Sequence, residues 1–207
     1  MEKQDKIQWV FSSRDNQELA QRYEQWAKGY DGELERDYEW RGPQRAAEFF
    51  VKYISKKAQV LDAGAGTGLM GEVLFKLGYA NLVAMDLSQA MLEEARGKKV
   101  YREFHQMVMG EPLDFATDAF DAVVSTGVLT VGHAPPDSFD ELIRITRPGG
   151  HILFTLRVDV YENNGFKEKQ TILESEGMWK LVEVSEKTHL LVKEPNYSHQ
   201  VWLYQIL

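Results

Sequence analysis

The sequence has 207 residues, a net charge of −8 and a hydrophobic content of 43%. This is the size of one globular domain, and its acidity argues against a nucleic acid partner, whose phosphates need a basic stripe. With no cysteine there are no disulfides, thiol nucleophiles or thiolate metal sites, and no apolar run approaches the roughly 18 residues that span a bilayer.

The start, MEKQDKIQWVFSSRDN, lacks the basic-then-apolar pattern of a secretory signal, so a cytoplasmic location is expected. Leu19, Tyr23, Trp26, Ala27 and Tyr30 recur at helical spacing and predict a helix over roughly 14–30. Gly42-Pro43 opens a second helix, with Ala46, Phe49, Phe50, Tyr53 and Ile54 on one face. An alternation follows: strand 58–63, helix 67–77, strand 81–86, helix 88–96 and strand 100–107. It continues as strand 119–126, helix 137–146, strand 150–157 and helix 165–176. Ser138 and Glu141 predict a capping box, and Arg147-Pro148-Gly149-Gly150 stops that helix. Lys56-Lys57 and Lys98-Lys99 suit helix C-termini, where cations oppose the dipole. Trp179–Val192 and His199–Leu207 close the chain as two strands separated by Pro195-Asn196. No repeat or linker appears, so 1–207 reads as one α/β domain: helices over 1–57 and a Rossmann-like, doubly wound core over 58–207.

The most informative segment is Val60–Gly68, VLDAGAGTG, followed by Met85-Asp86-Leu87. Gly64, Gly66 and Gly68 follow an apolar strand and lack the Cβ that keeps a ligand from the backbone. Asp86 ends the next apolar run, about 20 residues on, where a carboxylate accepts from both hydroxyls of a ribose. A dinucleotide turn needs a third glycine where Leu69 stands, and no G-K-[ST] follows to make a P-loop. Asp62 repels a pyrophosphate but suits an ammonium. S-adenosylmethionine, which has adenosine, an ammonium and no phosphate, fits this pattern best.

VLDAGAGTG with MDLS, FDAVVSTGVL (Phe120–Leu129) and RPGGHILFTLR (Arg147–Arg157) together resemble the class I S-adenosylmethionine-dependent methyltransferases. Tyr23–Asp31 (YEQWAKGYD), Thr130–Pro135 (TVGHAP) and Phe166–Trp179 resemble, more narrowly, the methyltransferase-like proteins of the Williams–Beuren syndrome region. The resemblance implies a mostly parallel sheet with an antiparallel C-terminal hairpin strand, and N-terminal helices acting as a lid. It also implies that Asp62 orders the methionine ammonium, although capping the turn is the plainer role. The acidic residue that many members place after the third strand, for the adenine amino group, is missing near Met109–Gly110. Met107, Val108 or Met109 then packs against the ring, with Glu111 within reach. STGV lacks the [DN]-P-P-[YF] clamp of enzymes acting on bases and amides, which points to a small-molecule substrate.

The cofactor-binding set expected on these grounds is Asp62, Gly64, Ala65, Gly66, Gly68, Asp86, Leu87, Met91, Met109, Gly110, Thr126, Tyr23 and Tyr30. His133, on the loop after the fourth strand, is the candidate catalytic residue for acid–base work, with a plain loop histidine as the alternative. Arg157 either meets an acidic substrate group or forms a surface ion pair. The five histidines show no metal-ligand spacing, so no metal is expected. The reading is a methyltransferase working on a small O, N or S acceptor, as a monomer or homodimer, away from membranes and nucleic acid. Two alternatives stay open: a cofactor-binding protein that transfers no methyl, and a nicotinamide-dependent oxidoreductase.

Overall fold

The computed structural model describes residues 6–194 and 196–207. The helix expected over 14–30 is divided. A short α1 (Lys6–Phe11) precedes α2 (Asn16–Trp26), whose N-cap Asp15 accepts from Glu18 N. The chain then tightens into a 3₁₀ turn at Ala27–Gly29, resumes as α3 (Tyr30–Glu33) and widens into a π turn over Leu34–Tyr38. Gly29 and Gly32 weaken helix continuity there. Next come α4 (Gly42–Tyr53), β1 (Val60–Ala63), α5 (Leu69–Lys76), β2 (Leu82–Asp86) and α6 (Gln89–Gly97). They are followed by β3 (Glu103–Gln106), β4 (Phe120–Ser125), α7 (Ser138–Ile145), β5 (Thr146–Arg157), α8 (Val158–Asn163) and α9 (Phe166–Ser175). The hairpin β6 (Trp179–Val184) and β7 (His199–Ile206) completes a seven-stranded sheet.

The strand order is β3-β2-β1-β4-β5-β7-β6, parallel from β3 to β5, with β7 antiparallel to both neighbours. The mostly parallel, doubly wound sheet with an antiparallel end is therefore present. Because β1 pairs with both β2 and β4, the winding reverses there, and a crevice opens beyond the strand ends.

Side chains alternate across the sheet and build two apolar layers. Leu61, Val83, Met85 and Val123 face Phe139, Leu142, Phe166 and Leu173 from α7 and α9. Val60, Leu82, Ala84, Ala122 and Val124 face Phe50, Leu74, Leu92 and Ala95 from α4, α5 and α6. A third cluster, with Val10, Leu19, Trp26, Leu34, Tyr38 and Leu191, lies among the N-terminal helices.

Several expectations need correction. β6 stops at Val184; Leu190 and Leu191 are buried instead by the N-terminal region, through a Trp40–Leu191 bridge and an Arg41 N–H to Leu190 carbonyl bond of 2.7 Å. Of the expected separator Pro195-Asn196, Pro195 lies outside the described residues. The capping box does not form. Asp137 holds the N-cap position, Ser138 begins the helix with its hydroxyl buried and unpartnered, and Arg144 and the Leu113 N–H take the Glu141 carboxylate. β5 begins at Thr146 rather than 150, and its register against β4 shifts between the Phe120–Thr146 and Ala122–His151 pairs. α8 was not expected. Among the described residues no helix is long and apolar enough to cross a membrane.

The strand expected over 100–107 is short because Tyr101 turns inward. Its hydroxyl donates to Asp62 Oδ2 at 2.5 Å and accepts from the Gly71 N–H at 3.1 Å, joining α5 to β1. A Cβ on Gly71 would lie 2.2 Å from the Tyr101 ring and hydroxyl. Gly71→Ala is expected to lower stability by about 1–3 kcal/mol through overpacking, seen as a lower urea midpoint with an unchanged m-value.

Candidate active site

The glycine turn is fixed at its base by β2 and β4. The Gly64 and Ala65 N–H groups donate to the Met85 carbonyl (2.8 and 2.9 Å), and the Ser125 hydroxyl donates to the Ala63 carbonyl at 2.8 Å. Asp86 closes the arrangement: its Oδ2 accepts from Gly66 N at 2.8 Å and its Oδ1 from Ser88 N at 2.9 Å. The Leu87 N–H also favours its charge, and the carboxylate still has acceptor capacity for a ligand. Ser88, not Asp86, caps α6, accepting from Met91 N. Burial pushes the Asp86 carboxyl up to about 6, against the backbone N–H groups that favour its charge.

A cavity with about 630 Å³ of empty space, including space open to solvent, lies here. Its walls bring together Gly64, Gly66, Asp86, Leu87, Met91, Met109, Thr126, Tyr23, Tyr30 and His133 from the expected set. Met107 and Val108 complete an apolar side. Four expected residues are not among the walls. Ala65 belongs to the core, and Gly68 starts α5, where a Cβ would meet Tyr101 and Ala95. Gly110 and Glu111 line an outer groove. Asp62 is placed by strand parity: it shares the face of Val60 and is 1% exposed, with Oδ2 on Tyr101 and Oδ1 unpartnered. Burial raises its carboxyl to about 7, with the Tyr101 hydrogen bond opposing.

Sequence reasoning missed Asn16, Leu19 and Val128 as wall residues. Nothing in an apolar helix face or a strand-end valine distinguishes a cavity wall from core.

A second cavity, with about 680 Å³ of empty space, adjoins the first and shares Tyr23, Tyr30 and Gly127 with it. Gly127 has φ +75° and donates its N–H to Thr155 Oγ1 at 2.9 Å, while a Cβ there would press on Trp40 at 3.3 Å. Tyr23 donates its hydroxyl to His133 Nε2 at 2.8 Å, and the His133 ring stands edge-on to Phe11. Burial lowers His133 to about 4, with the Val131 carbonyl opposing, so the ring is neutral at pH 7 and a weak base. Tyr23 and Tyr30 are raised above the ordinary tyrosine value, first by burial, and remain hydroxyl donors.

The N-terminal helices are tied down by charge. Lys98 Nζ meets Asp31 at 2.6 Å and Glu72 at 2.7 Å, and the Thr67 hydroxyl donates to the other Asp31 oxygen. Burial works against the Lys98 ammonium, but the two carboxylates outweigh it and its pKa is raised. Trp26 Nε1 donates to Glu33 at 2.8 Å.

A methyltransferase-domain family matches residues 61–154. Human Methyltransferase-like protein 27 is 33% identical over 173 residues, which are 78% of this chain and 69% of that protein. The chain belongs to the class I S-adenosylmethionine-dependent methyltransferases. A malonyl-(acyl-carrier protein) O-methyltransferase of Legionella pneumophila is 36% identical over 116 residues, 55% of this chain but only 39% of that enzyme. In fold, a chain from the complex between the Haloferax volcanii Trm112 methyltransferase activator and its methyltransferase superposes with a TM-score of 0.69. That likeness covers 94% of this chain and 99% of the other at 17% identity.

The cavity suits the cofactor of such a methyltransferase. A Cβ on Gly66 would meet nothing within 4 Å, so backbone faces open space where a ligand can approach, beside a buried carboxylate with free lone pairs. Among the described residues no cluster of His, Asp or Glu could hold a metal ion.

Two outcomes follow. An Asp86 that binds ribose hydroxyls in its charged form would give S-adenosylhomocysteine an affinity that falls as pH drops through about 6, approaching tenfold per unit below it. Calorimetry from pH 5 to 8 checks this, and Asp86→Asn should flatten the profile. Lys98→Met should loosen the N-terminal helices, giving faster amide exchange over α2 and α3 while β1 and β4 stay protected.

Proposed function

We propose that this methyltransferase moves the methyl of S-adenosylmethionine to a small-molecule acceptor seated in the second cavity, chiefly by positioning. The observation that carries the reading is the meeting of two cavities at Tyr23, Tyr30 and Gly127, one beside the glycine turn and Asp86, the other walled by aromatic rings. When bound, the cofactor supplies a methyl already activated by the sulfonium, with the thioether as leaving group. The protein's task is alignment, which can contribute roughly 7–11 kcal/mol of barrier lowering.

In this reading Asp86 accepts from the ribose hydroxyls, and Gly64 and Gly66 let the ligand lie on the backbone. Leu87, Met91, Met107 and Met109 cover the adenine, whose amino group meets no acidic side chain in the wall. Thr126 faces the methyl end. Asp62 acts through Tyr101, keeping the turn and α5 in register, rather than by touching the ammonium. Gly68 and Ala65 support the turn, and Gly110 belongs to the rim. His133 serves as the acceptor that orients the Tyr23 hydroxyl; a ring with a pKa of about 4 and its Nε2 already engaged is poorly suited to be the base. The Tyr30 hydroxyl is the better-placed donor to an acceptor oxygen, because among the described residues no hydrogen bond holds it.

A small acceptor is favoured because both cavities lie beneath the N-terminal helices, whose residues Leu19, Tyr23 and Trp26 form their walls. The absence of a base-and-amide clamp after β4 agrees with this.

Incubation of the full chain with methyl-labelled cofactor and a metabolite extract should place label in small organic products. Persistent failure to label any product, with cofactor bound, would overturn the reading. Asp86→Ala should weaken S-adenosylhomocysteine by at least about a hundredfold, as expected for two hydrogen bonds to a charged group; unchanged calorimetric affinity would remove the ribose role.

A further inference from the structure

The second cavity has a chemical character of its own. Six aromatic side chains stand in its wall: Phe11, Tyr23, Trp26, Tyr30, Trp40 and Tyr197. Flat rings of this kind favour a planar ligand through stacked and edge-on contacts. Among the described residues no Asp or Glu lines the space, and the one permanently charged residue that does is Arg157. Two further wall residues, Thr130 and His199, are 7% and 5% exposed, and Thr130 Oγ1 and His199 Nδ1 make no hydrogen bond. Unpartnered buried polar atoms are uncommon and costly, which points to groups that a ligand completes.

Arg157 gives the space its sign. Nε and Nη2 bind Asp159 at 3.0 and 2.6 Å, and among the described residues Nη1 has no protein acceptor. This bidentate pair occupies one edge of the guanidinium, and Nη1 is the donor left for a ligand. The guanidinium lies 3.9 Å from the Tyr197 ring centroid and 5.9 Å from that of Phe11. The protein's own cation thus already uses two of the six rings, those at its own end of the space. A ligand amine would meet that cation, whose Asp159 partner is already engaged and is not among the lining residues.

We propose that the second cavity takes a flat aromatic acid, its ring among the aromatic side chains and its carboxylate on Arg157. This rests on the two-cavity reading above and names its substrate class. The methyl-accepting atom then lies at the Tyr30–Gly127 end, away from the acid, and Thr130 and His199 meet polar groups on the ring's edge. The overall charge of −8 does not oppose this assignment, because selection is made by the wall that the ligand touches.

The test uses the full chain saturated with S-adenosylhomocysteine and three matched probes: 2-naphthoate, 2-naphthylmethanol and 2-naphthylmethylammonium. Binding is read by quenching of tryptophan fluorescence, since Trp26 and Trp40 line the space. The acid should bind about tenfold or more tighter than the alcohol, as one charge-assisted pair predicts, and the ammonium weakest. Arg157→Gln should erase the preference of acid over alcohol while leaving alcohol binding in place; Arg157→Lys should keep much of it. An ammonium that binds as well as the acid, a preference that survives Arg157→Gln, or no probe binding to the cofactor-loaded protein each overturns the inference. Calorimetric binding of S-adenosylhomocysteine to the same sample separates the two claims. If it binds and the acid preference is missing, the acceptor class alone is wrong; if it does not bind, the two-cavity reading fails and this inference with it.

Discussion

The Asp86 carboxylate, held at the end of β2 by the N–H groups of Gly66 and Ser88, is the contact on which the other parts of the site converge. Gly66 N belongs to the turn after β1 and Ser88 begins the approach to α6, so one side chain fixes the positions of two helices relative to the sheet. Its field also reaches Tyr23 and Tyr30, where it adds to burial in keeping both phenols protonated. A carboxylate that is 6% exposed with lone pairs unfilled is an expensive group to charge. The raised pKa of about 6 expresses that cost, and a diol donating two hydrogen bonds is the kind of partner that removes it.

Around this point the chain separates rigidity from access. The rigid part is the sheet with an apolar layer on each face, pinned at Asp62–Tyr101–Gly71. The accessible part is the third cluster, where short helical pieces meet the strand ends through a few polar links: Asp31 to Thr67 and Lys98, and Tyr23 to His133. A few polar links between short helical pieces are easier to break than two continuous apolar layers. The division suits a site whose cavities are walled by the N-terminal helices.

The sequence was most legible where one residue type is demanded by geometry. Gly64 and Gly66 adopt positive φ, and the alternation of apolar strands with helices announces the doubly wound, mostly parallel sheet. It was least legible where a residue had two satisfactory places. Asp62 stands in a binding motif, yet strand parity turns it from the cavity to Tyr101, and a residue thirty-nine positions away decides that. Ser138 and Glu141 have capping-box spacing, but Arg144 offers Glu141 a stronger, charged partner. Leu190 and Leu191 read as strand because apolar runs usually are; the N-terminal helices supply the burial that a sheet would have given. The second cavity was hidden for the same reason, since its wall is drawn from α1 to β7 and has no motif.

Net charge carries little information about the site for a related reason. Asp31 and Glu72 are spent on Lys98, Glu33 on the Trp26 indole, and Asp121 on Arg147. The acidic excess lies in such pairs and on the surface, where solvent and salt screen it. Inside, the two cavities divide the charge: a carboxylate beside the glycine turn and a guanidinium in the aromatic chamber, with Tyr23, Tyr30 and Gly127 between them. A ligand pair that spans both must therefore present hydroxyls or a positive centre at one end and a neutral or negative group at the other. That polarity follows from the side chains in the walls, and the composition of the whole chain gives no hint of it.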